Sequence, residues 1–275
     1  MQNTRVVLPM RLRGILLDMD GVLYRGQRAL PGARRMLEAL DRDGFPYALV
    51  TNNSTRSPRQ YVRHLAAMGM RVPADRIVTS SIGTTAYLRR TLRPGARVLI
   101  IGEPALRRAI VRAGFVPAWE NVAAVVVGLD RRVTYKKLTL ATVALGRGAA
   151  FIASNPDPLL PTETGLQMGA GSIVAALRYA TGRNPVIIGK PNPRLLKEAL
   201  ARIGTPAKET AMVGDQRSTD IAAGHAAGMF TILVLTGVSA GRPGSRGDPR
   251  PDLTVRNLNE LQRWLKRRAI AGPSR

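Results

Sequence analysis

The chain has 275 residues, 45% of them apolar, and a formal net charge of +24. That length accommodates two domains or one domain with a large insertion, and no stretch approaches the roughly 20 apolar residues that span a bilayer, so no membrane contact is expected. There is no cysteine and there are only two histidines, His64 and His225, which excludes disulfides, thiolate chemistry and His-rich zinc sites and leaves oxygen donors for any metal.

The 36 arginines far outnumber the six lysines and are scattered along the chain, with aromatics at only 4%. A nucleic-acid reader usually clusters its basic residues or interleaves them with stacking aromatics. A nucleic-acid-associated role is therefore a rival reading carried by net charge alone. The apolar patch at residues 6–10 is shorter than the hydrophobic region of a secretory leader, so a cytoplasmic protein is expected.

Short apolar strands alternate with amphipathic helices, the pattern of an α/β protein with a doubly wound, mostly parallel sheet. Ile15, Leu16 and Leu17 form a first strand. A helix over 31–41 follows, with Met36, Leu37 and Leu40 on one side and Gly44 past its end. Residues 47–50 form the second strand, after which Ser57 and Pro58 offer an N-cap and a first-turn proline for a helix closed by Gly69. Strand-like runs at 98–101, 123–127 and 150–153 alternate with helical patterns at 106–113 and 138–145, a separate small α/β unit. Val186, Ile187 and Ile188 begin a further core strand, and a helix follows that is capped at Asn192-Pro193 and ends at Gly204. Strands at 211–213 and 231–235, a Gly/Pro/Arg-rich surface loop at 239–251 and a helix at 258–266 complete the chain. The expected division is a core of residues 1–80 and 184–275 with an inserted α/β cap at 81–183.

Parallel sheets place ligands beyond the carboxyl ends of their strands, and four such ends carry polar residues. Asp18 and Asp20 are two apart in extended chain and converge, while Gly21 lets the backbone turn away. Two carboxylates so placed repel unless a cation or a proton joins them; an ordinary acidic turn is the plainer reading of the pair alone. Thr51, Asn52, Asn53 and Ser54 offer hydroxyl, amide and N–H donors suited to an oxyanion, or equally to turns and caps. Lys190 follows Gly189 at a third strand exit. Asp215 leaves a fourth strand, and Asp220 falls in the first turn of a helix with Ser218 as its expected cap.

Taken together, the DxDGV, Thr-Asn-Asn, Gly-Lys-Pro and GDxxxTD segments resemble the four motifs of the haloacid-dehalogenase-like hydrolases. The long stretch between the second and third motifs resembles subclass IIA, the capped group of 4-nitrophenyl phosphate, nucleotide, phosphoglycolate and pyridoxal phosphate phosphatases. Asn155-Pro156-Asp157 with Pro161 and Gly169-Ala170-Gly171 resembles that group's cap.

The resemblance implies hydrolysis of small phosphate monoesters with Mg²⁺ held by Asp18, the backbone carbonyl of Asp20 and Asp215. The cation has a physical reason, since like charges at 4 Å cost about 4 kcal/mol at an effective dielectric of 20. Asp18 is then the nucleophile that forms an aspartyl phosphate, and Asp20 the general acid and base. Thr51, Asn52, Asn53 and Lys190 hold the phosphoryl group, and Asp220 orients Lys190 or a metal-bound water. In the cap, Asp157 is the polar residue expected to meet the substrate or the core, and Leu160 is expected to set specificity. Leu159 and Leu160 stand where related pyridoxal phosphatases carry a histidine, so a specialist for that ester is not expected. A homodimer is compatible with this reading, as is a phosphate-binding protein without turnover.

Overall fold

The computed structural model describes residues 12–162, 165–239 and 247–270. The apolar patch at 6–10 and residues 240–246 of the Gly/Pro/Arg-rich stretch lie outside them. By its internal packing the chain divides into two compact units. One comprises Met1–Val50, Val62–Ile77 and Ala199–Arg275, the other Thr51–Tyr61 and Val78–Glu198. Residues 51–61 and 184–198, which sequence reading attaches to the core, pack with the second unit. Among the described residues no helix is long and apolar enough to cross a membrane.

A six-stranded sheet runs in the order Leu253–Val255, Phe230–Val234, Thr210–Gly214, Gly14–Asp18, Tyr47–Thr51 and Ile77–Thr79. The first five of these pair in parallel. Gly14–Asp18, Tyr47–Thr51, Thr210–Gly214 and Phe230–Val234 are buried along their whole length, which is why they read as continuous apolar runs without the alternation of a half-solvated strand. From Gly14–Asp18 the chain builds outward first through 47–51 and 77–79, then returns to build the other side through 210–214, 230–234 and 253–255. That reversal makes the carboxyl end of Gly14–Asp18 a topological switch point, the place where open α/β sheets bind their ligands.

Local chemistry sets the helices. Ala33–Arg42 buries Met36, Leu37 and Leu40, and Gly44 beyond its end has φ +58°, the left-handed conformation that terminates helices. Pro58–Ala67 begins with a capping box. Ser57 N–H donates to Gln60 Oε1 at 2.8 Å, and Gln60 N–H donates back to Ser57 Oγ at 3.4 Å.

The second unit has its own parallel sheet, ordered Val186–Ile187, Ala150–Ala153, Ala124–Val127, Arg97–Ile101 and Val116–Pro117. Successive residues of a strand face opposite sides, and the two cores follow that alternation. Leu99, Ile101, Val125, Val127 and Phe151 pack with residues of helices Tyr135–Gly146 and Ala170–Thr181. Val98, Ile100, Val126 and Ile152 pack on the other face with residues of Ser80–Thr91 and Pro104–Arg112. The expected core strand at 186–188 is corrected here. Val186–Ile187 pairs with Ala150–Ala153 at the edge of this second sheet, because a short apolar run fits either sheet and only its partner decides. The apolar pair Leu159-Leu160 lies in strand Leu159–Thr162, which pairs antiparallel with Gly165–Met168.

Candidate functional site

In the first unit, Asp18 ends the central strand, and Asp215 directly follows its neighbour Thr210–Gly214. Adjacent parallel strands ending together put both carboxylates at the switch point. Asp220 joins them, and one carboxylate oxygen from each of the three lies within 4.8 Å of the others, all three residues being buried. Asp20 is exposed, at the start of a tight loop in which Gly21 N–H donates to Tyr24 O at 2.8 Å and Leu23 N–H to Met19 O at 2.8 Å.

Glycines bring the backbone close to Asp215. Gly21 has φ +83°, and a Cβ there would lie 2.5 Å from Asp215 Oδ2. A Cβ at Gly237 would collide with the same carboxylate. The next residue, Val238, donates its N–H to Asp215 Oδ2 at 2.5 Å, and Ser239 N–H reaches Asp215 O at 3.1 Å. Thr236 Oγ1 donates to Gly21 O at 2.6 Å, tying the two glycine loops together. This 236–239 segment escaped the sequence reading. Its signal was present as Thr236-Gly237 at a fifth strand exit, after Phe230–Val234.

Ser218 is not the expected helix cap. Residues Arg217–Ile221 form a π-helical turn with Gln216 at its start and no side-chain cap. Asp220 Oδ2 instead reaches back along the chain to accept the N–H groups of Asp215 at 3.2 Å and Gln216 at 3.1 Å. Three converging buried carboxylates repel one another strongly unless positive charge or protons offset them. Hard anionic oxygens with two neighbouring loops of fixed backbone fit a hard divalent cation such as Mg²⁺.

The second unit gathers Thr51, Asn52, Asn53, Asp157 and Lys190. Thr51 Oγ1 accepts the Asn53 N–H at 3.2 Å, and Asn53 Oδ1 accepts Thr55 N–H and Oγ1 at 2.8 and 2.7 Å, an Asx turn. Asn52 Nδ2 donates to the Lys190 carbonyl at 2.8 Å and to both Asp157 carboxylate oxygens at 3.1 Å. Lys190 is buried. The Asp157 loop is seated on the start of helix Ala170–Thr181 through Gly169 N–H to Pro158 O at 2.7 Å and Gly171 N–H to Asp157 O at 2.8 Å. A Cβ at Gly169 or Gly171 would strike that loop's backbone, so the Gly-x-Gly is a packing device. Leu160 is half-buried in the hairpin opposite Gln167, and Leu159 is exposed.

A switch-point cluster of buried carboxylates on a parallel sheet, in a chain interrupted by a second α/β unit, is an arrangement suited to a metal-dependent α/β hydrolase. Two matches agree. Residues 15–116 match the haloacid dehalogenase-like hydrolase family and residues 187–261 the HAD-hydrolase-like family. The acid sugar phosphatase of Staphylococcus aureus is 39% identical over 249 residues, covering 90% of this chain and 96% of that protein. The crystal structure of the Thermotoga maritima 4-nitrophenylphosphatase aligns with a TM-score of 0.87 at 36% identity, covering 92% of this chain and 97% of that one. A glycerol phosphate phosphatase of Mycobacterium tuberculosis, solved in complex with calcium, aligns with a TM-score of 0.83 at 37% identity, covering 90% and 74%. The chain belongs to the haloacid-dehalogenase-like hydrolases, in their subclass IIA phosphatase group.

Proposed function

We propose that the protein is a cytoplasmic, Mg²⁺-dependent phosphatase of small phosphate monoesters that works through an aspartyl phosphate. The observation that carries this reading is the convergence of the buried Asp18, Asp215 and Asp220 carboxylates within 4.8 Å in a chain of this family. Asp18, Asp215 and the backbone carbonyl of Asp20 would hold Mg²⁺, which supplies the positive charge that lets an anionic carboxylate approach an anionic ester.

A carboxylate oxygen of Asp18 attacks phosphorus, the P–O bond to the leaving group breaks, and Asp20 delivers a proton to the departing oxygen. Asp20 then removes a proton from a water that attacks the phosphorus of the aspartyl phosphate. Inorganic phosphate leaves, and the Asp18 carboxylate is regenerated. The exposure of Asp20 suits a group that exchanges protons with leaving group and water in turn. Thr51, Asn53 and Lys190 bind phosphoryl oxygens, with the lysine neutralising charge as it transfers. In this reading residues 81–183 belong to the cap domain, and the hairpin bearing Leu160 sets the preference among esters. The calcium held by the glycerol phosphate phosphatase supports a divalent cation in this group.

The test is phosphate release from a panel containing a sugar phosphate, glycerol phosphate, a nucleoside monophosphate and 4-nitrophenyl phosphate, with and without Mg²⁺. Metal-dependent release from one or more members is expected. No release from any of them with Mg²⁺ present would refute the reading.

A further inference from the structure

Within the second unit, one side chain is committed on every donor it has. The Asn52 amide pairs with the main chain of Lys190 in both directions, its Oδ1 accepting the Lys190 N–H at 2.7 Å while its Nδ2 donates to the Lys190 carbonyl at 2.8 Å. The other Nδ2 hydrogen lies between the two carboxylate oxygens of Asp157, each at 3.1 Å. An asparagine amide has two donor hydrogens, and both are used. The carbonyl of Asn52 is held in turn by Asn155 Nδ2 at 2.8 Å and Ser80 Oγ at 2.5 Å. Gly189 permits the approach, since a Cβ there would lie 2.5 Å from Asn52 Oδ1 and 2.8 Å from Ser154 O.

A side chain held this way has no N–H to offer a phosphoryl oxygen. We infer that the Asn52 side chain is a positioning group, which locks the main chain of Lys190 to the carboxylate of Asp157 and does not itself hold the phosphoryl group. The inference rests on the phosphatase reading above and changes the role that motif resemblance gives Asn52. Its physical reason lies in the lysine. An ammonium on a flexible four-carbon stem is placed accurately only if the backbone it springs from is fixed, and a charge-assisted amide–carboxylate bond is a strong way to fix it.

The test exchanges the two partners. Asn52→Asp is nearly isosteric and keeps an acceptor for the Lys190 N–H, but it loses both donations and sets like charges together at Asp157. It is expected to lower kcat at least about 30-fold while KM moves less than about threefold, the pattern of lost transition-state positioning. The double exchange Asn52→Asp with Asp157→Asn rebuilds the donor–acceptor pair with its polarity reversed, and kcat is expected to recover at least about fivefold over Asn52→Asp. If Asn52 held the phosphoryl group, a carboxylate at that position would repel substrate in both variants. KM and the inhibition constant of inorganic phosphate would then rise at least about tenfold, and the exchange would restore nothing. That result overturns the inference.

If calorimetry shows Asn52→Asp unfolded, Asn52→Ala is combined with Lys190→Ala. A double variant within about threefold of Lys190→Ala alone supports action through Lys190, and losses that multiply overturn it. Wild-type turnover and its loss in Asp18→Asn test the phosphatase reading separately. If those hold and the exchange fails, only the role of Asn52 falls; if wild type releases no phosphate, both fall.

Discussion

Asp220 Oδ2 accepts the backbone N–H of Asp215 at 3.2 Å, so one acid of the carboxylate cluster anchors the strand exit from which another projects. The same oxygen takes the N–H of Gln216 at 3.1 Å. Asp220→Asn retains an acceptor but loses the charge, and it is expected to raise the Mg²⁺ concentration for half-maximal activity about 10- to 100-fold, the usual effect of losing a partner that orients metal ligands. Asp220→Ala leaves the buried N–H of Asp215 and the partly buried N–H of Gln216 without this acceptor and should also cost about 1–3 kcal/mol of stability. Metal titrations of activity and denaturant unfolding measure the two effects separately.

Gly237→Ala tests how closely the backbone must approach Asp215. The new methyl would meet the Asp215 carboxylate, which Val238 N–H holds in place. A kcat/KM loss of at least about tenfold is expected, because sub-ångström misplacement of a reacting constellation is costly. Gly21→Ala adds left-handed backbone strain of about 1–2 kcal/mol at φ +83° to the same collision and should be worse in both activity and melting temperature.

The strand exits were readable because each is local. Asp18 and Asp215 follow apolar runs that could only be buried strands, and Gly21 stood where a tight turn had to be. The sequence could not show that Asp220 would fasten Asp215 through a π-helical turn, since Ser218 carries the usual cap chemistry and the local pattern favours it. Asn52 was ambiguous for a different reason. Its amide suits an oxyanion as well as a peptide group, and its partners Asp157 and Lys190 lie 105 and 138 residues away. Val186–Ile187 shows the same limit at the level of fold, because its composition specifies a strand without specifying which sheet receives it.

Chelation should abolish turnover, and Mg²⁺ should restore it, whereas Ca²⁺ should restore it poorly because its larger and more flexible coordination shell aligns nucleophile and phosphorus less well. Phosphate release after exhaustive EDTA treatment and stepwise metal addition checks this. Full activity in the chelated protein would contradict the role given to the three-carboxylate cluster.

Leu160→His probes the hairpin, where Leu160 is half-buried opposite Gln167. It is expected to reorder kcat/KM among aromatic, nucleotide and small aliphatic esters by about 10-fold or more, since a polar group in an apolar wall discriminates among leaving groups. A uniform shift across all esters, or a fall in melting temperature alone, would make the leucine a packing residue.

The covalent role of Asp18 is tested most directly by phosphate release from Asp18→Asn at saturating Mg²⁺, with calorimetry of the metal-free proteins alongside. The amide fills the same space but is no anionic nucleophile, so the rate should fall below about a hundredth of wild type. The near-isosteric amide should leave the fold intact, so the metal-free variant is expected to melt in a single cooperative transition like that of wild type. A variant that keeps more than that hundredth of the wild-type rate would contradict the aspartyl-phosphate account.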